Sequence, residues 1–111
     1  MAEKTSDELR ADSERKSKEA TEQSQRNLRV VMSSSQGRAF VFELIDRECG
    51  VSSPSFREAP GTMAYLEGQR SIGIALQERL KLETRQLYLL MLREAFERVV
   101  DPDVKHETDQ D

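Results

Sequence analysis

Long apolar side chains are concentrated between residues 37 and 95, and the sequence on either side is mostly polar or charged. Inside this block, three stretches repeat apolar residues at helical spacing. Phe40, Val41, Leu44, Ile45 and Cys49, with Phe42 widening the stripe, predict a helix over 36–49. Gly50 follows the last periodic residue and suits a left-handed C-terminal cap. Tyr65, Ile72, Leu76 and Leu80 predict a second helix over 62–81, with Thr62 in the N-cap position. A third runs over 84–100 with Thr84 as its N-cap, because the apolar run 87–92 leads straight into the helix formers REAFER. Residues 51–61, VSSPSFREAPG, read as a loop punctuated by Pro54 and Pro60-Gly61. Phe56, the loop's aromatic residue, is expected to plug the end of the bundle. The fold class is therefore all-α, a small three-helix bundle cored by Phe42, Leu44, Ile45, Leu76 and Phe96.

The flanks set the organisation. Residues 1–34 form a polar N-terminal arm, 35–100 the three-helix core, and 101–111 an acidic tail expected to be disordered. In the arm, Leu9 is the only large aliphatic residue between Met1 and Leu28. Such a segment cannot bury enough surface to offset chain entropy. It also lacks proline and glycine and is rich in helix formers. Its composition leaves two alternatives, disorder or a solvated helix that orders on a partner. Leu28, Val30, Val31 and Met32 then give a short apolar cluster, which either extends a helix or docks on the bundle. Ser33-Ser34-Ser35 reads as a hinge or a set of caps.

Two features exceed what a small bundle needs. Ala64, Gly68, Ser71 and Ala75 recur at spacings of four, three and four, a stripe of small side chains on the second helix. A glycine inside a helix costs about 1 kcal/mol relative to alanine, and close approach of another backbone is the physical reason to accept that cost. The neighbour is either a helix of the same subunit or a helix of another. The second feature is Leu87-Tyr88-Leu89-Leu90-Met91-Leu92, which covers every azimuth of a helix. A helix apolar all round is buried all round. The run is either a wide core face with one incidentally exposed leucine, or a subunit contact. Tyr65, Gly68, Ile72, Leu89 and Met91 are the candidate packing or interface residues.

Composition narrows the function classes. The 111 residues carry a net charge of −4. Residues 28–100 hold ten Lys/Arg and nine Asp/Glu, whereas 101–111 hold one and five, so the acidity belongs to the tail. No segment has the basic excess expected of phosphate-backbone binding, and the basic residues lack interleaved aromatics, so nucleic acid is disfavoured as a partner. No apolar run approaches the roughly 20 residues of a membrane span, and MAEKTSDELR lacks the apolar region of a secretory signal. With one cysteine and one histidine, the chain has neither an internal disulfide nor a zinc ligand set. Cys49 reads as a small core residue and His106 as a solvated residue of the tail. The carboxylates are interleaved with arginines, as in the i,i+4 pairs Glu43–Arg47 and Glu94–Arg98, which is a solvated-face pattern. No catalytic residue, cofactor, metal or small-molecule substrate is expected. A core of roughly sixty residues is marginal alone, which points to oligomerisation or docking on a larger partner.

The wording of the block adds a family. The residues that carry it are Gly37-Arg38, Phe42 to Cys49-Gly50, Ser55-Phe56 and Ala64-Tyr65. They continue through Glu67-Gly68-Gln69-Arg70-Ser71-Ile72-Gly73, Leu87-Tyr88 and Met91-Leu92-Arg93-Glu94-Ala95. This pattern resembles a small domain family of tailed bacteriophages, of the type first recognised in a Bordetella podophage virion-gene cluster. It covers about half of the chain. The resemblance implies a small helical protein encoded among portal, scaffold and capsid genes. It implies a structural or morphogenesis role by protein–protein assembly, with a homo-oligomer or a larger head, portal or internal protein as partner, and a place in the virion or in the host cytoplasm during assembly. It carries no active-site residues and implies no enzyme. The alternative is a non-structural phage adaptor or regulator that binds another protein.

Overall fold

The computed structural model describes residues 3–100. Helix α1 (Ser6–Met32) leads into α2 (Ser35–Glu43), which continues through a π-helical turn, Leu44–Glu48. Helices α3 (Pro60–Glu83) and α4 (Arg85–Val100) complete the fold. The class is all-α. The chain is elongated, with extents of 68 × 44 × 21 Å and a radius of gyration of 19.6 Å, where a compact chain of this length has about 13 Å.

The polar arm is helix α1. The Thr5 side chain accepts from the Glu8 backbone N–H at 3.1 Å, and Asp7 and Glu8 lie in the first turn, where carboxylates complement the helix dipole. Arg15 bridges Asp12 and Glu19 at 3.5 and 3.9 Å, although exposed pairs of this kind each add only a few tenths of a kcal/mol. From residue 3 to 23 every position except Asp12 is exposed. The last turns differ: Leu28 packs on the core and Met32 is fully buried. Arg79 also donates to the Ser24 hydroxyl at 2.7 Å, tying α1 to α3. A boundary at residue 34 thus falls inside one packed unit, because the arm's final turns belong to the core. The serine run supplies caps, with Ser33 ending α1 and the Ser34 hydroxyl accepting from the Gly37 N–H at 3.0 Å.

The helix expected over 36–49 is not one regular helix. Cys49 N–H bonds to the Leu44 carbonyl at 2.8 Å, five residues back, so the last turn is wider than an α-turn. Gly50 follows at φ 63°, the left-handed cap its position suggested. Thr62 does not cap α3 as expected. α3 starts at Pro60, whose missing N–H costs nothing in the first turn, and Ala59 makes no side-chain cap. Thr84 does stand at the N-cap position of α4, its carbonyl accepting from the Tyr88 N–H at 2.8 Å, but its hydroxyl donates back to the Leu80 carbonyl at 3.1 Å and closes α3. Thr84 is the entire connection between those two helices.

The core is Met32, Val41, Ile45, Leu80, Tyr88 and Met91, with Leu28, Phe42, Val51, Leu76 and Leu87 packed around it. It therefore draws on four helices, and the expected three-helix count is only approximate. Phe96, an expected core residue, lies outside it and is exposed, as are Phe40 of the predicted apolar stripe and Phe56, the expected plug, the last by 74%. Phe56 plugs nothing, because its side chain stands in solvent while Val51 is the loop residue that packs on the core. Phe96 lies about 100–140° round α4 from Ala95 and Met91, off the buried stripe. Apolar identity alone could not reveal which azimuth of α4 the small core would cover.

Candidate functional site

A bidentate ion pair fixes α4 against α2. Arg38 Nε and Nη2 donate to Glu94 Oε1 and Oε2 at 2.7 and 3.2 Å, and Nη1 donates to the Met32 carbonyl at 3.0 Å. One guanidinium thus joins α2, α4 and the end of α1. The Arg38 and Glu94 side chains are only 10% and 20% exposed. Sequence reasoning paired Glu94 with Arg98, its i,i+4 neighbour, and missed Arg38, 56 residues away. The local pair that forms on α4 is Arg93–Glu97 at 3.8 Å. The available signal was Arg38 itself, a charge set among the apolar residues of α2.

The loop after Gly50 is held along α3 by one strip of side chains. Arg70 Nε donates to the Val51 carbonyl at 3.2 Å, and the Ser55 hydroxyl donates to Glu67. Gly73 is buried because a methyl group there would lie 2.7 Å from Cys49 Cβ and would overlap the Val51 side chain. Cys49 is half-buried at this contact. A shallow hollow of about 170 Å³ beside it is lined by Cys49, Arg57, Leu66 and Gln69, among others. His106, the chain's only histidine, lies outside the described residues, as does the acidic tail. Among the described residues, no group of three or more His, Cys, Asp or Glu side chains could hold a metal ion. No helix there is long and apolar enough to cross a membrane. On the outer face of α3, the hydrogen bond and charge of Glu78 hold the Lys81 ammonium above its ordinary value, slightly opposed by desolvation.

The candidate interface residues separate. Met91 is 1% exposed and belongs to the core. Tyr65, Ile72 and Leu89 point outward at 65%, 68% and 56% exposure. Gly68 is exposed with nothing within 4 Å of where a Cβ would stand. The other small residues of its stripe, Ala64, Ser71 and Ala75, are exposed as well. The same-subunit neighbour is thereby ruled out among the described residues. On α4, the reading of one incidental leucine fails too. Leu92, Phe96, Val99 and Val100 join Leu89 on the outside, a face the sequence marks within the run 87–92 but not at Phe96, Val99 or Val100. Its signal was the spacing 89, 92, 96, 99, which continues past the all-apolar run.

This is an elongated, all-α protein with a small core and two apolar helix faces turned to solvent. The chain belongs to the Bbp19-like phage proteins, whose family model matches residues 28–93. The match opens at Leu28, the first α1 residue packed against the core, and closes at Arg93, one residue before the Glu94 carboxylate. The chain is therefore a bacteriophage protein. No curated protein and no solved structure matches it.

Proposed function

We propose that this phage protein is a structural or morphogenesis component that works by protein–protein assembly in the head, the portal region or the virion interior, without catalysing a reaction. One observation carries the reading. Among the described residues, thirteen large hydrophobic side chains are exposed against seven buried apolar residues. The folded chain has 8693 Å² of accessible surface, where a compact protein of 12.7 kDa has roughly 6,200 Å². The solvated half of α1 accounts for part of that excess, but that half is polar. Eight of the thirteen lie on α3 and α4, and exposed apolar patches beyond a few hundred Å² mark protein contact surfaces. The partner is a second copy of the chain or a larger virion protein, present in the particle or in the infected host during assembly.

The test is quantitative mass spectrometry of purified virions and assembly intermediates, with co-sedimentation of the purified protein on particles lacking it. The expected result is recovery in stoichiometric amounts. Absence from every particle and intermediate, together with failure to bind them, overturns the proposal. If the protein were instead recovered bound to a host protein, it would be an adaptor.

A further inference from the structure

The outer face of α4 has the repeat of a helix seam. Leu89, Leu92, Phe96 and Val99 are spaced three, four and three apart, with exposures of 56%, 37%, 67% and 80%. Val100 adds 63% at the edge. Such spacing places side chains on one narrow stripe that a facing helix can cover by knobs-into-holes packing. The adjacent stripe, Tyr88, Met91 and Ala95, roughly 90° round the helix, is already buried by the chain's own core. No segment of the chain outside the core has the chemistry to cover this face. The outer half of α1 offers Leu9 alone, and DPDVKHETDQD offers an isolated valine. A second copy, by contrast, brings the same stripe.

We infer that α4 pairs antiparallel with α4 of a second copy about a two-fold axis at the level of Glu94. This rests on the assembly reading above and specifies its contact. In that register, Leu89 faces Val99 of the second copy and Leu92 faces its Phe96, so each layer sets an aliphatic residue against a complementary one. The charges select the orientation. The accessible flank of the stripe carries Arg93 and Glu97, paired within the helix at 3.8 Å and both largely exposed. In an antiparallel pair this flank meets itself, so Arg93 lies beside Glu97 of the second copy, and the reverse. A parallel pair would turn that flank toward the Tyr88–Ala95 side, which the core already occupies. The five side chains expose on the order of 500–600 Å² per copy. Two copies therefore cover about 1,000–1,200 Å² in all, at the lower edge of specific interfaces. That size implies a reversible dimer with a dissociation constant on the order of 1–100 μM.

The experiment is sedimentation equilibrium of the full chain across concentration, with Phe96→Glu and Leu89→Glu as variants. Both replace exposed side chains, so circular dichroism should show wild-type helicity while dimerisation weakens by roughly 100-fold. Orientation is read by disulfide trapping in a Cys49→Ala background. A mixture of Leu89→Cys and Val99→Cys proteins should cross-link. Leu89→Cys alone should not, because in the antiparallel register its two sulfurs lie about 15 Å apart along the helix. A wild-type monomer at about 500 μM overturns the dimer, as does a dimer that survives both glutamates or efficient Leu89→Cys self-cross-linking. A monomer that still co-sediments with particles sinks this contact and leaves the assembly role standing. A dimer that never reaches a particle does the opposite.

Discussion

Replacing Glu94 by alanine isolates the ion pair that ties α4 to α2. The substitution removes two charge-assisted hydrogen bonds, at 2.7 and 3.2 Å. It leaves the Arg38 guanidinium with a single partner, the Met32 carbonyl, at 3.0 Å. Removing one member of a buried pair costs about 3–5 kcal/mol when water cannot reach the survivor. Here Glu94 is 20% exposed, so its loss opens a path for water to the guanidinium. The expected destabilisation is therefore smaller, about 2–3 kcal/mol. Glu94→Gln keeps one acceptor and should cost about 1–2 kcal/mol. Arg38→Met combined with Glu94→Leu removes both charges and should return to within about 1 kcal/mol of wild type. Urea unfolding monitored by helicity gives these values, and the double-mutant cycle, completed by the single variants Arg38→Met and Glu94→Leu, should show a coupling above about 1.5 kcal/mol. Additive single effects, or a Glu94→Ala cost below about 0.5 kcal/mol, would refute the claim that this pair fixes α4. The consequence reaches beyond stability, because the rotation of α4 decides which of its apolar residues face outward.

Other residues give sharper local tests. Gly73→Val should cost about 1–3 kcal/mol by driving Cys49 and Val51 away from α3, and should speed proteolysis at Arg57 in the loop that this contact holds. Leu80→Ala, at a fully buried position, should cost about 2–5 kcal/mol in the same denaturation assay. Phe56→Ser should change stability by less than about 0.5 kcal/mol, whereas a bundle-end plug would lose several times that.

Much of the fold could be read directly because helices announce themselves locally. The periodic residues of α3 and α4 place both helices within two residues of their observed ends. Gly50 marks the end of its helical segment, since left-handed backbone favours glycine. The family pattern was legible for the same reason, as a string of adjacent residues. The structure then divides that string by face. Glu67, Arg70 and Gly73 hold the 49–55 turn, while Gly68 and Ile72, from the same heptapeptide, look outward. No local rule separates them, because both sets lie on one helix at helical spacing.

What the sequence determined by itself is the helical class, the position of the apolar block, the cap at Gly50, and the excess of apolar residues over what a small core can bury. Each of these depends on neighbours within one or two turns. Only the tertiary structure decided that Glu94 reaches Arg38 and not Arg98, that the end of α1 enters the core, and that Phe56 and Phe96 stay outside it. Those outcomes depend on which helix azimuths meet in space. Local propensity does not encode that choice, because the facing residues are contributed by segments tens of positions away.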